Sequence, residues 1–306
     1  MDLSNNHYDT RLYDYSEAAN PVLSSVPIET FSIYDNPNKA KVRYFDNSRT
    51  LNVPYKATSP NLLSAFLVIS KDNSFEIDSN MHCSSQLFYI IKGTGFISYS
   101  KEKKDLLYST GDLITTPFYD HQYITALNDT EIYWVSDYPL LQYMGLKPVR
   151  EIIPPTVYKK NYMESFLQEI CDAPGAEQKN RTGILLGNTI TEKWGTKTLT
   201  HILWALLNKI APNSIQKPHR HNSVALDYCV YSNGTVYTIM GEHLNEDGSI
   251  QNPVKVYWET GSCFTTPPGW WHSHVNEGNE SAIVLPVQDA GLYTYQRTLN
   301  IQFSNI

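Results

Sequence analysis

The sequence is short of the features that define several large classes of protein. Only four of its 306 residues are cysteines (Cys83, Cys171, Cys229 and Cys263), and no two of them form a CxxC pair. That scatter argues against a disulfide framework or a cysteine-based zinc site and points to free thiols in a reducing cytosol. Positive charge is scarce as well: 24 Lys and Arg against 31 Asp and Glu leave a net charge of -7. Nucleic acid and anionic membrane surfaces both call for clustered cations, so neither is expected as a partner. No apolar run approaches the roughly 20 residues that span a bilayer. The segment Met1 to Asn6 has neither the basic nor the apolar region of a signal peptide. The expectation is a cytoplasmic protein acting on small molecules.

What the chain has in quantity is short apolar or alternating runs. Leu62 to Ile69, Leu87 to Ile91, Gly95 to Tyr99, Leu113 to Thr116 and Ile132 to Val135 recur between turn residues. A second series follows: Thr198 to Leu207, Val224 to Tyr231, Thr235 to Met240, Val254 to Trp258, Cys263 to Thr266 and Ala282 to Val287. Such spacing predicts an all-β sandwich or barrel in each region. Between them Pro148, Pro154 and Pro155 punctuate a linker, and Tyr162 to Ile170 carries apolar residues at helical spacing until Asp172-Ala173-Pro174-Gly175 stops it. The chain is long enough for two domains of about 150 residues, each with its own core. The plan is an arm over residues 1–50 packing on a domain or a partner subunit, a first barrel over 51–145, a linker with a short helix over 146–197, and a second barrel over 198–306.

The two β regions read as copies. Gly111-Asp112-Leu113-Ile114-Thr115-Thr116-Pro117 and Gly261-Ser262-Cys263-Phe264-Thr265-Thr266-Pro267 align without a gap, 150 residues apart. Ahead of them Asn80 to Leu87 aligns with His219 to Leu226 at an offset of 139, which places an insertion near Glu246 to Ser249. In the second copy His219 and His221 share one face of a strand, because successive side chains alternate. His272 follows the Pro267-Pro268-Gly269 corner on a returning strand. Three imidazoles on two strands of a closed sheet can hold one face of a divalent ion and leave the other open.

An HxH strand, a glycine turn and then PxGxxHxxxN make up the two-part signature of cupins, and Pro267 to Asn276 fits the second part at every fixed position. With two copies the chain resembles a bicupin. It is similar in particular to the gentisate 1,2-dioxygenase family, with its relatives acting on salicylate and 1-hydroxy-2-naphthoate. The likeness rests on His219-Arg220-His221-Asn222-Ser223-Val224-Ala225, on the upstream Trp204 and on Val287 to Tyr293. It implies two tandem jelly-roll barrels, and a three-histidine site (His219, His221, His272) for iron(II), with manganese, nickel or zinc as alternatives. It also implies dioxygen and a small aromatic hydroxy or amino acid as reactants, and a homodimer or homotetramer. The alternative is a metal-binding bicupin with a non-oxidative or small-molecule-binding role.

The chain also departs from the family pattern. The slot where many cupins add a glutamate ligand is Ala225 or Leu226, with Asp227 one residue beyond. The family keeps its competent iron in the first copy, whereas this chain offers Asn80, His82 and His121 there, a poor metal set. The second copy is therefore expected to be the working one. His274, in strand register with His272, and Asp227 stand as catalytic candidates. Trp204, Ser223, Trp270, Gln288 and Arg181 stand as substrate contacts, Arg181 as a bidentate clamp for a carboxylate.

Overall fold

The computed structural model describes residues 10–35, 41–99, 104–119, 121–176, 179 and 181–305. The first nine residues of the expected arm lie outside that set. Branched and aromatic residues fill the central strands, as in Leu63–Ile69 and Ala225–Tyr231, where they pack well on a pleated surface. Nearly every position of these strands is buried, on both faces. A strand buried on both sides needs a layer above and a layer below, and the topology supplies both.

In the first barrel a six-stranded sheet runs Thr156–Tyr158, Leu113–Thr116, Gln86–Lys92, Thr130–Ser136, Leu63–Ile69, Val42–Phe45. A four-stranded sheet built on Thr94–Tyr99 and Gln122–Ala126 closes over it. In the second barrel the matching six-stranded sheet runs Thr30–Ser32, Ser262–Thr266, Ala225–Tyr231, Ala282–Gln288, Trp204–Ile210, Thr182–Leu186. Its lid carries Val254–Tyr257, Val236–Gly241, Trp271–Asn276, His219–His221 and Ile301–Phe303 in that order. Leu87, Tyr133, Val135, Leu226, Tyr228 and Val287 belong to one apolar core between the two large sheets. Across that seam Tyr133 and Tyr228 stack with ring centroids 4.7 Å apart.

The segments outside the barrels are woven into them. Thr30–Ser32, from the expected arm, pairs with Ser262–Thr266 of the second barrel. Thr156–Tyr158, from the expected linker, pairs with Leu113–Thr116 of the first. The strand leading into each barrel thus covers an edge of the other, so backbone hydrogen bonds join the two halves and shield those edges. The helix Lys160–Asp172 buries Met163 and Leu167, four residues apart on one face. It stops where Ala173 turns extended (ψ 140°) ahead of Pro174, as the clash with a following proline requires.

Two strands begin later than expected. Residues 198–203 are not strand, because hydroxyls satisfy the backbone locally: Thr191 Oγ1 donates to the Thr198 carbonyl, and Leu203 N–H donates to Thr200 Oγ1. The histidine-bearing strand expected over Asn80 to Leu87, from its alignment with His219 to Leu226, is strand only from Gln86, since the Asp137 carboxylate accepts the Ser84 and Ser85 N–H groups that a ladder would need. Among the described residues no helix is long and apolar enough to cross a membrane.

Candidate metal centre

His219–His221 lies between Trp271–Asn276 and Ile301–Phe303, with His219 directly opposite His272. Strand alternation turns His219 and His221 to one face and brings His272 onto the same face of the next strand. Ring centroids are 3.9 Å apart for His219 and His272, 4.9 Å for His221 and His272, and 5.7 Å for His219 and His221. One donor nitrogen from each lies within 4.8 Å of the other two. The corner that delivers His272 is tied down: Gly269, at φ +79°, donates its N–H to the His221 carbonyl at 2.7 Å. Residues with a Cβ rarely adopt that left-handed conformation, so the glycine belongs to the site.

Hydrogen bonds set the tautomers. A carbonyl only accepts, so His221 Nδ1 donates to Ser223 O at 2.9 Å and His272 Nδ1 to Trp270 O at 3.1 Å. Both rings in their neutral form therefore keep the Nε2 lone pair for a cation, the usual backbone support of a ligating histidine. His219 differs, because Arg181 Nη2 donates to its Nδ1 at 2.6 Å. A cation taken up at Nε2 of His219 would shift that ring's proton to Nδ1 and displace the guanidinium.

Burial, first, and the neighbouring imidazoles hold the proton affinity of His219 and His272 well below the ordinary histidine value. Burial brings His221 down to about 4 and His274 to about 3, with the Arg181 charge adding to each. All four rings are neutral at pH 7, the form a metal requires.

Beside the trio lies a cavity of about 130 Å³ lined by Arg181, Trp204, Asn208, Asp227, His274 and Gln288, among others. Trp204, Leu206 and Asn208 reach it as alternate residues of one strand. His274 lines it but stands outside the ligand group, and its Nδ1 is 2.8 Å from Thr238 Oγ1. Asp227 also lines it and likewise falls outside the group, so the glutamate slot stays without a ligand. Burial raises its carboxyl to about 7, and the Thr266 hydroxyl donates to it at 2.5 Å. Ser223 is fully buried behind the site rather than in its lining. Its hydroxyl accepts from His221 Nδ1 and donates to Gln288 Oε1 at 2.8 Å, which leaves the Gln288 amide N–H groups for the cavity. Trp270 does not line the cavity; it packs half-buried against the barrel core, because the turn carries it past the strand that holds His272. Sequence reasoning missed Leu206, Asn208, Pro286, Ile301 and Phe303. Asn208 was within reach, since it continues the alternate face begun by Trp204.

The first barrel has no such cluster among the described residues. Asn80 and His121 are exposed, the latter 3.3 Å from Glu76, and His82 lies edge-on to Phe118. Extending the ungapped repeat past Pro117 puts Gln122, not His121, in register with His272. Gln122 Oε1 accepts from Gln86 Nε2 at 2.8 Å, and Gln86 Oε1 accepts from Trp134 Nε1 at 3.1 Å. Phe88 pairs with Trp134 as Asp227 pairs with Pro286 in the second barrel. The two aromatic rings stack at 6.3 Å, with planes 4° apart, and are buried. Bulk and an internally satisfied amide pair thus stand at the positions that, in the other half, line the cavity and carry His272.

Two jelly-roll barrels in tandem, one carrying three converging histidines from the HxH strand and the strand after the glycine corner, make the chain a bicupin in fold. No family model matches it. Over 140 residues it is 26% identical to gentisate 1,2 dioxygenase 1 of Aquipseudomonas alcaligenes; the match covers 46% of this chain and 36%, about a third, of that relative. The salicylate 1,2-dioxygenase of Pseudaminobacter salicylatoxidans superposes with a TM-score of 0.69 at 13% identity, over 94% of this chain and 90% of that one. A variant of oxalate decarboxylase from Bacillus subtilis gives 0.53 at 16% identity, over 88% and 78%. At those identities the solved structures support the fold.

Proposed function

We propose that the chain is a mononuclear iron(II)-dependent dioxygenase of the gentisate-dioxygenase-like bicupin type, acting on a small aromatic hydroxy or amino acid. The observation that carries this reading is the convergence of three neutral imidazoles, two of them buried and His219 half-buried, with no carboxylate among them, on the rim of a small cavity. His219, His221 and His272 would hold the metal. Iron bound there would supply dioxygen activation beside a chelated substrate, because three protein ligands leave exchangeable positions.

The rest of the site binds and orients. Arg181 adds a second positive charge beside the metal position, so a carboxylate is the complementary occupant. Gln288 offers amide donors whose direction Ser223 fixes. Trp204 and Pro286 give flat apolar walls for a ring. His274 faces the substrate as a neutral hydrogen-bonding group, supported from behind by Thr238, which in turn accepts from Trp258 Nε1 at 2.8 Å. Ligand pockets generally run ~300–1,000 Å³, so this one suits a single ring.

The test is metal analysis of the purified chain together with oxygen uptake on a panel of hydroxy- and aminobenzoates. Iron and substrate-dependent oxygen uptake, both lost in His221→Ala, are the expected result. Unchanged turnover in that variant would remove the proposal. So would a chain that holds zinc or nickel and consumes no oxygen with any member of the panel.

A further inference from the structure

We propose that Asp227 is the specificity-determining residue of this cavity: it accepts a hydrogen bond from an amino group, so the second barrel selects small amino-substituted carboxylic acids. This deepens the dioxygenase reading and rests on it for the metal alone.

Asp227 is 2% exposed and lies in the cavity lining. One carboxyl oxygen takes the Thr266 hydroxyl, and the other makes no hydrogen bond among the described residues. That second oxygen is not among the sealed, unpartnered polar atoms of the described residues, so it opens on the cavity. A buried acceptor with an unfilled valence calls for a donor, and a ligand without one leaves it desolvated and unpaired.

The sister barrel serves as a control. There the equivalent position is Phe88, buried and stacked on Trp134. A carboxyl occurs only where the fold also leaves room and gathers the histidines. Across the same cavity Arg181 sits at the His219 end. One guanidinium and one carboxyl facing a small space complement a molecule that carries a carboxylate and an amino group. A hydroxyl answers less well, because on a dication it surrenders its proton and has nothing left to donate.

The experiment is anaerobic titration calorimetry on the iron-loaded full chain with benzoate, the three monohydroxybenzoates and the three monoaminobenzoates. The best amino isomer is expected to bind at least roughly tenfold tighter than benzoate and than its matching hydroxy isomer. In Asp227→Asn, which keeps the shape and the Thr266 contact but turns an amide N–H₂ to the cavity, the margin should fall to about twofold or less; Asp227→Leu should behave alike. No amino preference in the wild-type chain, or the same preference in both variants, overturns the inference. Oxygen uptake measured on the same samples separates the two readings. Amino selectivity that follows Asp227 in an iron-loaded chain that consumes no oxygen with any of these acids supports this inference and overturns the dioxygenase proposal.

Discussion

Asn61, just ahead of the Leu63–Ile69 strand of the first barrel, donates a 2.7 Å hydrogen bond to Asp289, at the end of the last strand of the second. The reciprocal place is filled by His201, ahead of Trp204–Ile210, whose Nε2 lies 2.9 Å from Ser84 Oγ; that hydroxyl in turn bonds Asp137. Asp137 and Asp289 are matching N-cap residues, of helices Tyr138–Met144 and Ala290–Gln296. Each also accepts backbone N–H groups from the turn before its own barrel's central strand. Each barrel therefore completes a buried carboxylate of the other. Burial raises both carboxyls to about 6.

The Asn61→Ala variant should lose roughly 1–3 kcal/mol of stability, the cost of leaving a buried acceptor without its donor. The loss should depend on pH. Asp289 titrates at about 6 in the folded chain against 3.8 unfolded, so its contribution is full below 3.8 and fades as pH rises through 6. Asn61 favours the charged form, so removing it lifts the folded value further and widens that window. Urea unfolding at pH 8 and pH 5 should give the larger deficit at pH 8; equal deficits would mean that Asn61 acts through packing alone.

The convergence of His219, His221 and His272 was legible in the sequence because its geometry is local. Alternation fixes His219 with His221, and the glycine corner fixes His272, so neither needs knowledge of distant strands. The repeat, read from Gly111 and Gly261, likewise gave the two barrels. The exchanged strands were not legible. Thr30–Ser32 and Thr156–Tyr158 are three residues long, too short to show a period, and their partners are chosen by the assembled edge. The cavity lining was only half legible for the same reason: Ile301 and Phe303 reach it through pairing with the His219 strand from the far end of the chain. Trp270 misled because it lies in the turn just ahead of Trp271–Asn276, where the alternation that would have set it on the face of His272 has not yet begun.

Trp134 tests whether the first barrel is packed core rather than a second site. It is 2% exposed, stacked on Phe88 and hydrogen-bonded to Gln86. Trp134→Ala should cost about 3–5 kcal/mol through the cavity and the lost contact, while metal content per chain stays as in wild type. A fall in metal content without loss of fold would relocate the binding to the first half.

Arg181 holds His219 Nδ1 and adds positive charge beside all four histidines of the second barrel. Arg181→Gln should leave metal retention undiminished, because the change removes a like charge and releases Nδ1. Substrate binding should weaken by roughly tenfold or more with the charge-assisted contact gone. Steady-state oxygen uptake reads this as a raised KM with smaller change in kcat. A variant that sheds its metal instead would assign Arg181 to holding the ligand set in place.

Metal uptake itself should follow pH in a way that free histidine does not. An ordinary imidazole, with a pKa of about 6.5, competes with protons for a metal throughout the range below neutrality. Here burial brings His221 to about 4 and lowers His219 and His272 well below the ordinary value, so the lone pairs stay available in mild acid. The lowered values also make these rings a source of stability above 6.5 that the metal-free chain loses as pH falls toward 4, since the unfolded chain binds protons first. Iron(II) affinity, measured anaerobically by competition with a chelator, should hold nearly level from pH 8 to about 5 and drop steeply below. The metal-bound chain should melt higher than the metal-free one, by about 2.7 kcal/mol of added stability at a hundredfold excess over Kd. An affinity that begins to fall at pH 7 would mean that water reaches the three rings freely, and the burial that keeps them neutral would not hold in solution.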